Sequence, residues 1–144
     1  MPPDAFASLR VPAIRRMVLG RLAWSLGSQM LAVAVGWDVY ERTGSMRALG
    51  LIGLVQFLPV LLLSLPAGAF VDRHNRKLMA LGATAAHAVF ALILGVLGLF
   101  HAPTWTIYVV LVGIGTATAV GAPASGAFYT QIIPPQLFVN ANTW

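Results

Sequence analysis

Few side chains in this 144-residue sequence could do chemistry, and cysteine is absent, which removes disulfides, thiolate metal sites and thiol nucleophiles. Nine Lys/Arg face four Asp/Glu and three His. The densest polar stretch is Asp72-Arg73-His74-Asn75-Arg76-Lys77, four residues after Gly68. Asp72 is the first charge after an uncharged run from Ala48 to Val71. A carboxylate at such a boundary can accept hydrogen bonds from a helix N-terminus or pair with an arginine. Gly68 would allow close helix contact. Asn75 tolerates the left-handed conformation that reverses a chain in a few residues. Arg76 and Lys77 would anchor the following helix at an anionic membrane surface. Three basic residues alone would suffice for a topogenic loop; they leave Gly68 and Asp72 unexplained.

Other polar groups lie inside apolar runs. Ser25, Ser28, Gln29, Ala32 and Gly36 recur in steps of three and four, which places them on one helical face. Such a stripe faces other helices, through hydrogen bonds of about 0.6 kcal/mol each, or walls a water-filled path. Gln56 shares its run with Pro59, Ser64 and Pro66, and the prolines predict a bend. His87 falls near mid-membrane, as a neutral histidine bonded to a neighbour or as a coupling group. Asp38 sits roughly 33 Å along a helix from Arg16, at the outer rim, with Arg42 four residues on as its ion-pair partner. Gly113, Ala117 and Gly121 form a small-residue packing seam, with Gly115 beside it.

Those groups need elements to position them, and composition dictates which. The chain is 58% apolar and 9% charged, with a mean hydropathy of +0.81. A soluble domain carries about 25% charged residues, so lipid must solvate most of this surface. That excludes an ordinary soluble enzyme, a disordered tail and a nucleic-acid module, and the net charge of +5 is too scattered to form a basic groove. A spanning helix needs about 20 apolar residues. Four runs qualify, over 17–40, 49–71, 78–100 and 104–124, behind a tail of 1–16, with a fifth helix starting over 137–144. The runs lack the alternation of strands. The fold class is therefore all-α integral membrane.

Thr43-Gly44-Ser45, the Asp72–Lys77 hexamer, His101-Ala102-Pro103 and Ile133-Pro134-Pro135-Gln136 break the runs. Arg10, Arg15, Arg16 and Arg21 share one side with Arg73, Arg76 and Lys77, while the other carries Arg42 and Arg47, offset by Asp38 and Glu41. Basic short loops stay cytoplasmic, so the N-terminus and the Asp72–Lys77 loop are expected in the cytoplasm. The first run is too long for a signal-peptide core, and Trp24 and Gln29 interrupt it, so it is expected to be retained.

The decapeptide from Gly68 to Lys77 resembles the loop motif of the major facilitator superfamily, written G-x-L-A-D-R-x-G-R-K. Gly68, Asp72, Arg73, Arg76 and Lys77 match in place, and Asn75 stands for the second glycine. Further stretches are similar to the enterobactin-exporter-like branch, the transmembrane secretion effectors. These are Arg21 to Gln29, Ala34 to Trp37, Tyr40-Glu41, Thr43 to Ser45, Leu49 to Leu51, Gln56 to Pro59, Leu65 to Gly68 and Ile133 to Asn142.

The resemblance implies a secondary transporter working by alternating access, an exporter of small amphipathic, siderophore- or drug-like molecules, with Gly68, Asp72, Arg73, Arg76 and Lys77 as a conformational latch. Ser25, Ser28, Gln29, Asp38, Gln56 and His87 become pathway or coupling candidates. Members have about twelve helices in two halves, so this chain is expected to be an N-terminal fragment. Its partners would be the bilayer, the substrate and the remaining helices, with no cofactor, metal or nucleic acid. Members that exchange drug for proton often carry an arginine in the fourth helix; Thr106–Ala124 has no charge. That leaves Asp38, His87 or residues after 144 for coupling.

Three rivals stand beside this reading. A lipid-headgroup transferase needs clustered carboxylates and a divalent metal, and Asp72 is alone on its loop. A dimeric four-helix multidrug carrier needs an embedded glutamate, and Glu41 lies outside the run. The third is a non-transporting membrane fragment or assembly partner.

Overall fold

The computed structural model describes residues 12–132. They form α1 (Pro12–Thr43), α2 (Met46–Asp72), α3 (Arg76–Leu99) and α4 (Thr104–Ile132), with no strand among the described residues. Each helix contains a segment long and apolar enough to cross a membrane: Ile14–Thr43, Met46–Asp72, Arg76–Leu99 and Thr104–Gly126. The protein is an all-α membrane protein.

Short connections make the helices alternate in direction. Two cross-links place the α1–α2 and α3–α4 turns at one end. Arg42 Nη1 donates to the Ala102 carbonyl at 2.6 Å, and Tyr108 Oη donates to the Ala48 carbonyl at 3.1 Å. The α2–α3 hairpin lies at the other end. Gly44 has φ +60° in the first of these turns, where a glycine avoids the steric cost of the left-handed region.

Two boundaries differ from the sequence expectation by more than three residues. α1 begins at Pro12, inside the expected 1–16 tail, because proline is preorganised for a first helical position. α4 continues eight residues past 124, through Pro123. Proline there removes only the donor to the Ala119 carbonyl, and membrane helices tolerate that loss when neighbours surround the site. The expected fifth helix over 137–144 lies outside the described residues.

α4 is the hub. It packs along both α2 and α3, while α1 meets chiefly α2 and touches α3 and α4 lightly. Val35, Val39, Leu94, Ile107, Leu111 and Ile114 form the buried core at the end where α1 terminates. Glycines let α4 lie between two neighbours. A Cβ at Gly113 would fall 2.6 Å from the Phe90 ring, and one at Gly121 2.9 Å from Ala83 Cβ, so both face α3. A Cβ at Gly115 would fall 2.5 Å from the Gln56 carbonyl oxygen and 3.2 Å from the Pro59 ring, on α2. Ala117, between the α3-facing glycines, is buried.

Gly115→Ala is expected to destabilise the chain by about 1–3 kcal/mol, because the added methyl meets backbone rather than a flexible tip. Gly95→Ala, at a site with nothing within 4 Å, should leave stability unchanged or raise it. Tryptophan-fluorescence unfolding of the two variants in micelles makes the comparison.

Candidate functional site: a charged hairpin and a clamped helix end

α2 ends as Arg73 and His74 donate backbone N–H groups to the Phe70 and Val71 carbonyls, both at 3.2 Å. Asn75 then starts α3. Its Oδ1 accepts from the N–H groups of Lys77 at 3.1 Å and Leu78 at 3.4 Å. Its φ of −67° and ψ of 106° are extended, so the expected left-handed turn at Asn75 is not what reverses the chain. The asparagine serves instead as an N-cap, which uses its side-chain oxygen rather than its backbone tolerance.

Because Asn75 satisfies those helix donors, Asp72 is left for other partners. Its Oδ1 lies 3.3 Å from Arg76 Nη2, in an exposed pair. Such surface pairs contribute about 0–1 kcal/mol. Arg73 and Lys77 are exposed and form no ion pair among the described residues. Gly68 has nothing within 4 Å of its Cβ position. The close contact expected there is not made with any described helix, since α4, the helix α2 packs along, meets it at Gln56 and Pro59 instead.

The opposite end holds a tighter arrangement. Arg42 Nε donates to Asp38 Oδ1 at 2.9 Å, and Nη2 lies 2.8 Å from the same oxygen. The guanidinium also donates to two carbonyls: Ala102 at 2.6 Å from Nη1 and Gly98 at 3.4 Å from Nη2. Those carbonyls belong to the end of α3. There Ala102 N–H donates to Leu97 O at 3.0 Å and His101 N–H to Gly98 O at 3.2 Å, with His101 at φ +49°. This is a Schellman ending with histidine at the left-handed position usually given to glycine. A cation at a helix C-terminus meets the negative end of its dipole. Arg42 thus ties α1 to the end of α3, with Asp38 beside it. The four-residue spacing showed the pair; the carbonyls, 56 and 60 residues away, left no local signal.

Most of the polar stripe of α1 stays outside the bundle; Gly36, whose Cβ position lies 3.7 Å from Leu49 Cδ2, meets α2. Ser28 Oγ donates to the Ser25 carbonyl of its own helix at 2.9 Å, so its expected interhelical hydrogen bond is not formed among the described residues. Ser25, Gln29 and Ala32 are exposed, because the adjacent face bearing Leu31, Val35 and Val39 meets the core. Gln56 is half-buried, with its backbone against Gly115. His87 meets the Trp24 ring edge-on at a centroid distance of 4.5 Å, joining α3 to α1. A cavity of about 530 Å³ between those helices is lined by Ser28, Trp24 and His87. Of the pathway candidates, Ser28 and His87 therefore meet at one cavity, while Asp38 and Asp72 stand at opposite ends.

Four alternating membrane-length helices, joined by a charged hairpin and sparsely furnished with interior polar groups, define a multi-pass α-helical membrane protein. The family model for transmembrane secretion effectors matches residues 3–142, and the chain belongs to that family, among the major facilitator transporters. Macrolide efflux protein A from Streptococcus pyogenes is 29% identical over 118 residues, covering 81% of this chain, as is the protein of that name from its serotype M6. The chain spans 29% of the length of these curated relatives. No solved structure matches.

Removing the clamp and relaxing its turn should act in opposite directions. Arg42→Ala is expected to cost about 1.5–3 kcal/mol, the scale of hydrogen bonds from a charged donor. His101→Gly should stabilise by about 1 kcal/mol, since glycine occupies φ +49° without the Cβ penalty. Unfolding midpoints of both variants against the parent chain check the signs.

Proposed function

We propose that the chain is the N-terminal part of a secondary active exporter that works by alternating access. Its N-terminus and the Asp72–Lys77 hairpin face the cytoplasm of a bacterial plasma membrane, and its substrates are small amphipathic molecules. Family membership supports the transporter class. The curated relatives' name, macrolide efflux, favours a drug-like cargo; the likeness to the enterobactin-exporter-like branch favours a siderophore-like one. The hairpin's cations, with Arg15 and Arg16 at the start of α1, support the orientation.

The observation that carries the latch is the division of labour between Asn75 and Asp72. Asn75 caps α3, so Asp72 is an exposed carboxylate with one oxygen loosely paired to Arg76 and the other without a hydrogen bond among the described residues. Gly68, one helical turn earlier, offers open space on α2. A helix end from the remainder of the transporter, docking beside Gly68, could place its N–H groups against Asp72 in one state and withdraw in the other. A charge–dipole contact of that kind is worth up to ~2 kcal/mol, which shifts a two-state population roughly thirtyfold.

Asp72→Asn in the full-length protein is expected to abolish most efflux while membrane insertion, read by reporter fusions in the hairpin, stays normal. Asp72→Glu should retain part of the activity. Unchanged efflux in Asp72→Asn would remove the latch, and a hairpin reporter outside the cytoplasm would remove the orientation.

A further inference from the structure

Away from the hairpin and the clamp, one cavity carries a charge that neither uses. A cleft of about 450 Å³ separates α1 from α3 and the C-terminal half of α4. Arg21, Trp24, Thr84, His87, Thr118 and Ser125 line it, among small residues. Arg21 lies near the end of the Ile14–Thr43 segment that also carries Arg15 and Arg16, and it is exposed. An arginine at that level can reach the membrane surface or hold an anionic group at the cleft mouth. No carboxylate lines the cleft among the described residues, and the two ion pairs among them engage Arg42 and Arg76.

The lining also sorts donors from bystanders. Thr84 and Thr118 turn their hydroxyls to their own helices, donating to Ala80 O and Ile114 O, each at 2.8 Å. The lining donors with no hydrogen bond among the described residues are the Arg21 guanidinium, the Trp24 indole N–H, the Ser125 hydroxyl and the His87 ring. All four can bind an acidic headgroup, and a planar guanidinium does so with two parallel bonds. Trp24 and His87 are shared with the adjoining 530 Å³ cavity, whose wall is otherwise mostly apolar: Gly27, Met30, Leu31, Ala34 and Ala91. Both volumes lie within the range of small-molecule sites, about 300–1,000 Å³. The pair of cavities thus has a cationic end, an aromatic waist and an apolar slot.

We propose that this cleft binds amphipathic anions, with the acidic head on Arg21 and the apolar body lying between α1 and α3 beyond the Trp24–His87 pair. The same chemistry is offered by an anionic membrane lipid and by a free amphiphilic acid. The site belongs to these helices and does not require the transporter reading; where that reading holds, it narrows the cargo to amphipathic acids.

Trp24 reports occupancy directly. The full chain, with Trp37, Trp105 and Trp144 changed to Phe, is placed in phosphatidylcholine nanodiscs and titrated with dibromostearate or its methyl ester, whose bromines quench tryptophan on contact. The acid is expected to quench at concentrations about tenfold below the ester, the scale of one charged hydrogen-bonding partner. Arg21→Gln should erase that preference and Arg21→Lys should keep most of it. Dibrominated phosphatidylglycerol, compared with dibrominated phosphatidylcholine, separates the sources: an Arg21-dependent preference assigns a lipid, and its confinement to the fatty acid assigns a free amphiphile. Equal quenching by acid and ester, or a preference that survives Arg21→Gln, overturns the site. Should Arg21→Gln not accumulate, competition in the Arg21 protein replaces it: unbrominated stearate must relieve quenching where stearamide does not, and equal relief overturns the site. Equal quenching by acid and ester in the Arg21 protein, with efflux intact in the full-length protein, ends this site alone; normal efflux in Asp72→Asn ends the latch alone.

Discussion

The contact of Gly115 with the Gln56 carbonyl is the constraint on which the bundle depends. In lipid, apolar side chains gain little by meeting one another, so helices associate through close backbone approach and van der Waals contact. α4 achieves this on two sides at once. Gly115 opens it to α2, while Gly113 and Gly121 open it to Phe90 and Ala83 of α3. Bulkier residues at these positions would push α2 and α3 away from the helix that joins them.

Charges are then placed where helix ends need them. Arg42 answers carbonyls at the end of α3, and Asn75 answers the N–H groups at its start. These two devices satisfy part of the open backbone groups at each end of α3. The carboxylates divide accordingly. Asp38 is committed to Arg42, whereas Asp72 is exposed and only loosely paired. The proposed latch draws on that difference: a charge already consumed by local structure could not also register the position of a distant helix.

α1 is the loosely held member. Its C-terminal half is fixed by Val35, Val39 and the Arg42 clamp, Ile14 is buried near its start, and a cleft opens between them beside Gly20, Arg21 and Trp24. The exposed stripe of Ser25, Gln29 and Ala32 lies on a different face again. A helix with few contacts along its middle and polar groups on two free faces suits the proposed alternating-access function, in which elements rock about a site near the membrane centre.

The sequence by itself determined the fold class, the four spans, the hairpin and the Asp38–Arg42 pair. Each depends on local composition or on four-residue spacing, which a helix converts into neighbourhood without reference to the rest of the chain. It also supplied the glycine seam, but not which neighbour each glycine meets. Tertiary structure decided the rest. Asn75 became a cap instead of a left-handed turn, Ser28 turned to its own helix, Gly68 stayed open, and Arg42 found carbonyls at the end of α3. It also gathered Arg21, Trp24, His87 and Ser125 around one cleft. The Asn75 cap and the Ser28 bond are local, but the Arg42 contacts and the cleft depend on which helices lie side by side, and partners 56 or 60 residues away carry no periodic signal that reveals it.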